Sequence, residues 1–456
     1  MSVLVARLQK GWRGGEVPWL IDLVGYACAF CLALLVFVEP CLAQSISSPK
    51  IVAQSLLTNE WGTIMHPRAI SVVADGGTIT SGYVASTKAF AIKTSADGKQ
   101  MWSHFVELSD EDQLAFPGQR YGIGPEYAGS VPMPDGSIFL CGSMKRPPGK
   151  PEPGLVTHLD AQGTVLSEQL VLPKDSPQRI IAHLAGCVRW GNDLAVLGHI
   201  SQWTDDKGNG RSSHHNLYWV LILDASGVSK WERQFDIPDT FPVAIDPAIV
   251  VAGKDLVISA SDGRETDFLR VDVKGSVVVR TKLPSNYLLI QDSASDEEIQ
   301  IFEDARTESR DESKVHIHSL VTLNRDFSET HRVKGGLSNF YARVAYRLTD
   351  GSLILAGSEY SIPKHDYLST VVHVDAKLKT STSLATTYDQ LPYPTTNDGS
   401  IWAMARGPTQ NGCVVADSLL PRDGFSEDSS GNGNVSRSLD RSKFRGAVVS
   451  HLHIDN

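Results

Sequence analysis

One unit of strand, tight turn and strand returns along this 456-residue chain, and that repetition restricts its fold more than anything else in it. The unit is plainest from Ala69 to Val106. An apolar strand meets a turn at Asp75-Gly76-Gly77, a second strand follows as TITSGYV and a third as AFAIKTS, and a turn at Asp97-Gly98 leads into a fourth strand. The order recurs as YAGSVPM, Asp135-Gly136 and SIFLCGSM, then as LAGCVRW, Gly191-Asn192 and DLAVLGHI, and then as AIVVA, Gly253-Lys254 and DLVISASD. A degenerate copy runs from YLLIQDSA to ETHRV. A clear one follows at ARVAYRL, Asp350-Gly351 and SLILAGSEY, and the last reads SIWAMAR, GCVVADSLL and GAVVSHLHID.

The residue that closes each third strand is Ser95, Asp160, Asp224, Asp272, Asn324, Asp375 and Asp455 in turn. A four-stranded meander needs about 40 to 50 residues, so each unit is one propeller blade with loop insertions. The seventh unit stops after three strands, while Lys50 to Leu57 is an apolar run with no local partner. It supplies the missing strand, because closing the ring removes an exposed edge. The expected fold is all-β: a single β-propeller of four-stranded antiparallel blades, seven-bladed, with the N-terminal strand closing the last blade. The expected organisation is a leader at 1–43 and a propeller at 44–456, with loop insertions at 201–216 and 419–445.

Arg7, Lys10 and Arg13 precede an uncharged apolar stretch, Leu23 to Val38, and Cys41-Leu42-Ala43 offers small residues for a signal peptidase. Cleavage after Ala43 is expected, giving a periplasmic or secreted protein that is membrane-anchored only if the leader is retained. Cys28 and Cys31 form a CxxC inside that apolar stretch and are a decoy. Cys141, Cys187 and Cys413 sit in strand-like runs as small hydrophobes, so no disulfide framework is expected. A net charge of −10 without a concentrated basic face argues against nucleic acid as a partner.

The repeats resemble a broad class of bacterial exported propellers whose units read DGG, aGy and a K-x-D-x-x-G turn followed by Trp. The likeness implies architecture and carries no reaction. The segments from Asp97 to Trp102 and from Ser226 to Trp231 also look like the tryptophan docking element of quinoprotein dehydrogenases. Only two units carry it and the adjacent cysteine pair of many such enzymes is missing, so no quinone cofactor is implied.

The first-to-second and third-to-fourth connections read as tight turns, which makes one face smooth. The other face takes the long segments Met144–Gly154, Ser201–Asn216, Asp304–Ser313, Glu359–Tyr367 and Leu419–Arg445, together with inter-blade loops such as Glu107–Glu126 and Thr386–Ser400. Loops on a rigid scaffold are where binding residues sit. The candidates there are Lys145 and Arg146 in a proline-stiffened basic loop, Trp203, Asp205, Asp206, His214 and His215 in the next, then Tyr360 and His365, and Tyr388 and Tyr393. Asp205, Asp206 and Asn209 offer oxygen ligands of the kind calcium takes, without EF-hand spacing; no other cofactor is expected.

His158, His373 and His453 share a repeat position that holds Lys93, Ile222, Arg270 and Thr322 elsewhere, which marks a structural slot. GxSxG, Walker, HExxH and GxGxxG signatures are missing. The leading expectation is a non-catalytic propeller that binds a protein partner through its loop-rich face, as an envelope scaffold or toxin-immunity protein. The alternative is an enzyme acting on a glycan or small molecule at the channel mouth, near His66, His183, Asp246, Arg343 and Trp402.

Overall fold

The computed structural model describes residues 47–57, 65–84, 88–108, 124–146, 150–174, 180–205, 212–237, 247–262, 264–291, 295, 297–305, 315–338, 340–361, 366–379, 381–385, 395–397, 401, 403–407, 412–421, 425–427, 437–439 and 447–454. The first strand among the described residues, β1 (Lys50–Leu57), belongs to the last blade. Blade 1 is β2 (Met65–Val72), β3 (Thr78–Val84), β4 (Lys88–Thr94) and β5 (Gln100–Glu107). Blade 2 is β6 (Gly124–Pro132), β7 (Ile138–Lys145), β8 (Gly154–Leu159) and β9 (Val165–Val171). Blade 3 is β10 (Ile180–Trp190), β11 (Asp193–Asp205), β12 (Ser212–Leu223) and β13 (Ser229–Asp236). Blade 4 is β14 (Ala248–Ala252), β15 (Asp255–Ser261), β16 (Thr266–Val271) and β17 (Val277–Leu283).

Blade 5 comprises β18 (Asn286–Leu289), β19 (Glu298–Ala305), β20 (Val315–Asn324) and β21 (Glu329–Ser338). Blade 6 comprises β22 (Phe340–Arg347), β23 (Leu353–Ser361), β24 (Asp366–Val374) and β25 (Ser381–Ala385). In blade 7 a short β26 (Thr395–Asn397) flanks β28, and β27 (Ala403–Arg406), β28 (Gly412–Pro421), the small hairpin β29 (Phe425–Glu427) and β30 (Arg437–Leu439), and β31 (Ala447–His453) follow. β1 completes this blade by pairing antiparallel with β31 from Lys50↔His453 to Leu57↔Ala447. The chain is therefore a seven-bladed all-β propeller, closed by its N-terminal strand.

The core lies between blades. Seven apolar clusters each join two neighbours, and the one holding Leu57, Phe90, Ala403 and Val449 joins blade 7 to blade 1. The third-strand landmarks have a mechanical role: Asp160 Oδ1 accepts the main-chain N–H of Gln162 at 2.9 Å and of Thr164 at 2.8 Å, which caps the turn. Asp224, Asp272, Asn324 and Asp375 accept the equivalent pair of N–H groups.

The glycine of each aG pair has a different cause. The inner strands bulge between Pro67 and Ala69, Tyr127 and Gly129, Leu184 and Gly186, and Ala342 and Val344. The bulge presses inner-strand backbone onto the second strand, so a Cβ on Gly142 would overlap the Glu126 carbonyl oxygen. Two tryptophans tie neighbouring blades together: Trp102 on outer strand β5 donates its Nε1–H to the Ala161 carbonyl of blade 2 at 3.2 Å, and Trp190 at the end of inner strand β10 donates its own to the Lys254 carbonyl of blade 4 at 3.0 Å.

Candidate functional site

The second strands stop at different heights on the loop-rich face. β3 ends at Val84, soon after Gly82, and β7 ends at Lys145, soon after the equivalent Gly142. β11 runs on from Gly198 to Asp205 and pairs with β12 as far as Asp205↔Ser212. A segment expected to be a loop is thus flanked by a β-hairpin arm, since extended pairing satisfies the main-chain polar groups of its Thr, Asp, Ser and His residues. Trp203 pairs with His214, and Gln202 with His215. At a rise of about 3.3 Å per residue, the arm stands clear of the neighbouring blade ends.

A charged network anchors its base. Glu126, near the start of β6, is buried; its Oε1 lies 2.6 Å from His183 Nε2 on β10, and its Oε2 accepts from Lys145 Nζ at 3.1 Å. Burial alone would raise the Glu126 carboxyl, but the hydrogen bond from His183 and the charges of His183 and Lys145 hold it down at about 2. Burial pushes Glu152 up, and it pushes His199 down to about 4, aided by the charge of His183. Glu152 bridges Ile181 in parallel, with its N–H donating to the Ile180 carbonyl at 2.9 Å and its carbonyl accepting from Ala182 at 2.8 Å. Ser201 Oγ donates to Asn216 Oδ1 at 2.8 Å across the arm. The β7–β8 connection of blade 2 is thereby fixed to the inner strand of blade 3.

Of the residues expected from sequence, Lys145 ends β7 in that ion pair and Arg146 follows it half-buried. Trp203 and Asp205 lie on β11, His214 and His215 on β12, and Tyr360 on β23 opposite Tyr367. The structure thus places Trp203, His214 and His215 on one hairpin. Asp206, Asn209, His365, Tyr388 and Tyr393 lie outside the described residues, so two of the three expected calcium ligands do as well. The histidine slot serves packing: His158 stacks on Phe139 at 4.0 Å, and His373 lies 3.0 Å from both Ser352 Oγ and the Ser47 carbonyl.

Of the residues expected at the channel mouth, His66 stacks on Tyr83 at 4.7 Å and is pushed down to about 4 by burial and then by Arg68. Arg343 is exposed, and Asp246 and Trp402 lie outside the described residues. Sequence reasoning missed Glu126. Its signal was positional: it stands two residues before the bulge residue Ala128, in the slot that holds His66, His183 and Tyr341 in other blades.

No protein-family model matches this chain, and no curated protein matches it in sequence. Solved structures align with it at low identity. The β-propeller domain of the Trilobed protease from Pyrococcus furiosus, described as having an open velcro topology, aligns with a TM-score of 0.41 at 9% identity, covering 86% of this chain and 95% of that one. A DUF4221 family member from Bacteroides vulgatus gives 0.36 at 11%, covering 75% and 100%. Pyrococcus horikoshii acylaminoacyl peptidase gives 0.42 at 10%, covering 80% of this chain and 50% of that chain, so this chain spans about half the length of the peptidase.

Proposed function

We propose that this protein is an exported, non-catalytic propeller that binds a protein partner through the blade 2 and blade 3 side of its loop-rich face. The observation that carries the reading is the β11–β12 arm, which extends past the strand ends of blades 1 and 2 and is fixed at its base by Glu126, His183 and Lys145. A recognition element held in one geometry loses little entropy on binding. Trp and His in its sequence, with Lys145 and Arg146 at the end of β7 on the neighbouring blade, supply aromatic and cationic groups of the kind that anchor protein interfaces. Export rests on the charged and apolar leader pattern of residues 1–43.

The Glu126–His183 pair does not favour acid–base chemistry. A carboxyl held near 2 and already neutralised by Lys145 is far from the poise near neutral pH that general catalysis needs. The test is paired affinity capture from the native envelope fraction. One bait is the full chain, and the other has 201–216 replaced by a short Gly/Ser turn and an unchanged thermal midpoint. The reading expects one protein recovered stoichiometrically by the first and lost from the second; identical recoveries contradict it.

A further inference from the structure

The axial channel has a charge pattern of its own. It is a cavity of about 880 Å3 bounded by the inner strands of blades 1 to 4, 6 and 7 and by Gln291, which follows β18. Its described lining carries three guanidinium groups, Arg68, Arg189 and Arg406, and no carboxylate. The whole chain carries 52 Asp and Glu against 42 Lys and Arg, so the lining is biased against the average of the molecule.

Arg189 and Arg406 hold the same place in different blades. Each is the inner-strand residue opposite the first core residue of its second strand, Leu194 in blade 3 and Cys413 in blade 7. Those blades are not neighbours in a seven-membered ring, so the two groups reach the turn-side mouth from separate walls. Arg68 stands toward the other end, at the bulge of β2. The wall exposes more polar than apolar surface, with Ser71, Ser130 and Gln291 among it. The inner strands are also edge strands of their sheets, so main-chain N–H groups face the same space.

We propose that this channel binds a small multivalent anion bearing carboxylate or phosphate groups, gripped at the turn-side mouth by Arg189 and Arg406. The guanidinium fork suits either group bidentately. The proposal does not rest on the partner-binding reading, and the variant shortened at 201–216 should bind the anion as the parent chain does.

The test is calorimetric titration of the full chain at low ionic strength with citrate for the carboxylate arm, inorganic tripolyphosphate for the phosphate arm and glycerol as the uncharged control. One saturable site is expected for at least one anion and none for glycerol. Affinity should fall about tenfold or more in the Arg189→Met, Arg406→Met double variant, and less in Arg189→Lys, Arg406→Lys, which keeps charge without the fork. Circular dichroism confirms that both variants fold. Saturation by neither anion overturns the proposal, as does a folded double methionine variant that binds like the parent.

Discussion

Glu126 on blade 2 and His183 on blade 3 meet at 2.6 Å across a blade boundary, and Lys145 closes the pair from the end of β7. Two inner strands and the base of one long connection are joined by this single carboxylate.

The first prediction concerns acid stability. The folded Glu126 carboxyl titrates near 2 against an ordinary 4.5. Its contribution is therefore fully present above pH 4.5 and is lost as the pH falls toward 2, and linkage puts it at roughly 3 kcal/mol. Glu126→Gln should unfold at lower denaturant near neutral pH, and the gap to the parent chain should narrow between pH 4.5 and 2. Urea unfolding at several pH values measures this; a gap independent of pH contradicts it.

His66 and His199 act in a higher window. Both are held near 4 in the folded chain against 6.5, so the unfolded chain takes up protons first and stability declines as the pH falls from 6.5 toward 4. His66→Gln should flatten that decline while leaving stability at pH 8 little changed. The same urea series reads it.

Ring closure is tested at Leu57, which is fully buried where β1 meets the blade 7 and blade 1 cluster. Leu57→Ala should cost about 2 to 5 kcal/mol. Removal of residues 47–57 should expose the edge of β31 and make the chain prone to aggregate. Light scattering during a thermal ramp follows both.

Two glycines separate strain from overlap. Gly191 has a positive φ of 65° and nothing within 4 Å of a Cβ, so Gly191→Ala should cost about 1 to 2 kcal/mol from backbone strain. Gly142→Ala must move the Glu126 backbone as well, and should cost more than Gly191→Ala. It should also loosen the Glu126–His183 pair, visible as a smaller acid effect in the first experiment.

The blade pattern was legible because its determinants are local. An Asp that caps its own turn lies within four residues of the N–H groups it holds, and alternating apolar strands name their own faces. The fifth unit read as degenerate because Phe327 takes a positive φ at the turn place that glycine holds elsewhere; Phe327 is buried against Phe268 at 5.8 Å, so packing offsets the strain. The β11–β12 arm was not legible, since the residues from Trp203 to Asp205 have loop composition and their pairing with Ser212 to His214 adds no apolar signal. Glu126 was missed because its partner lies on another blade, and no local spacing encodes that contact.

The measurement that bears most directly on the central claim is hydrogen exchange of the full chain, free and saturated with the captured protein. Partner binding through the arm predicts slowed exchange at 201–216 and around Lys145, with the turn-side face unchanged. Protection confined to the turn-side face or the channel wall, with the arm exchanging as in the free chain, would contradict it.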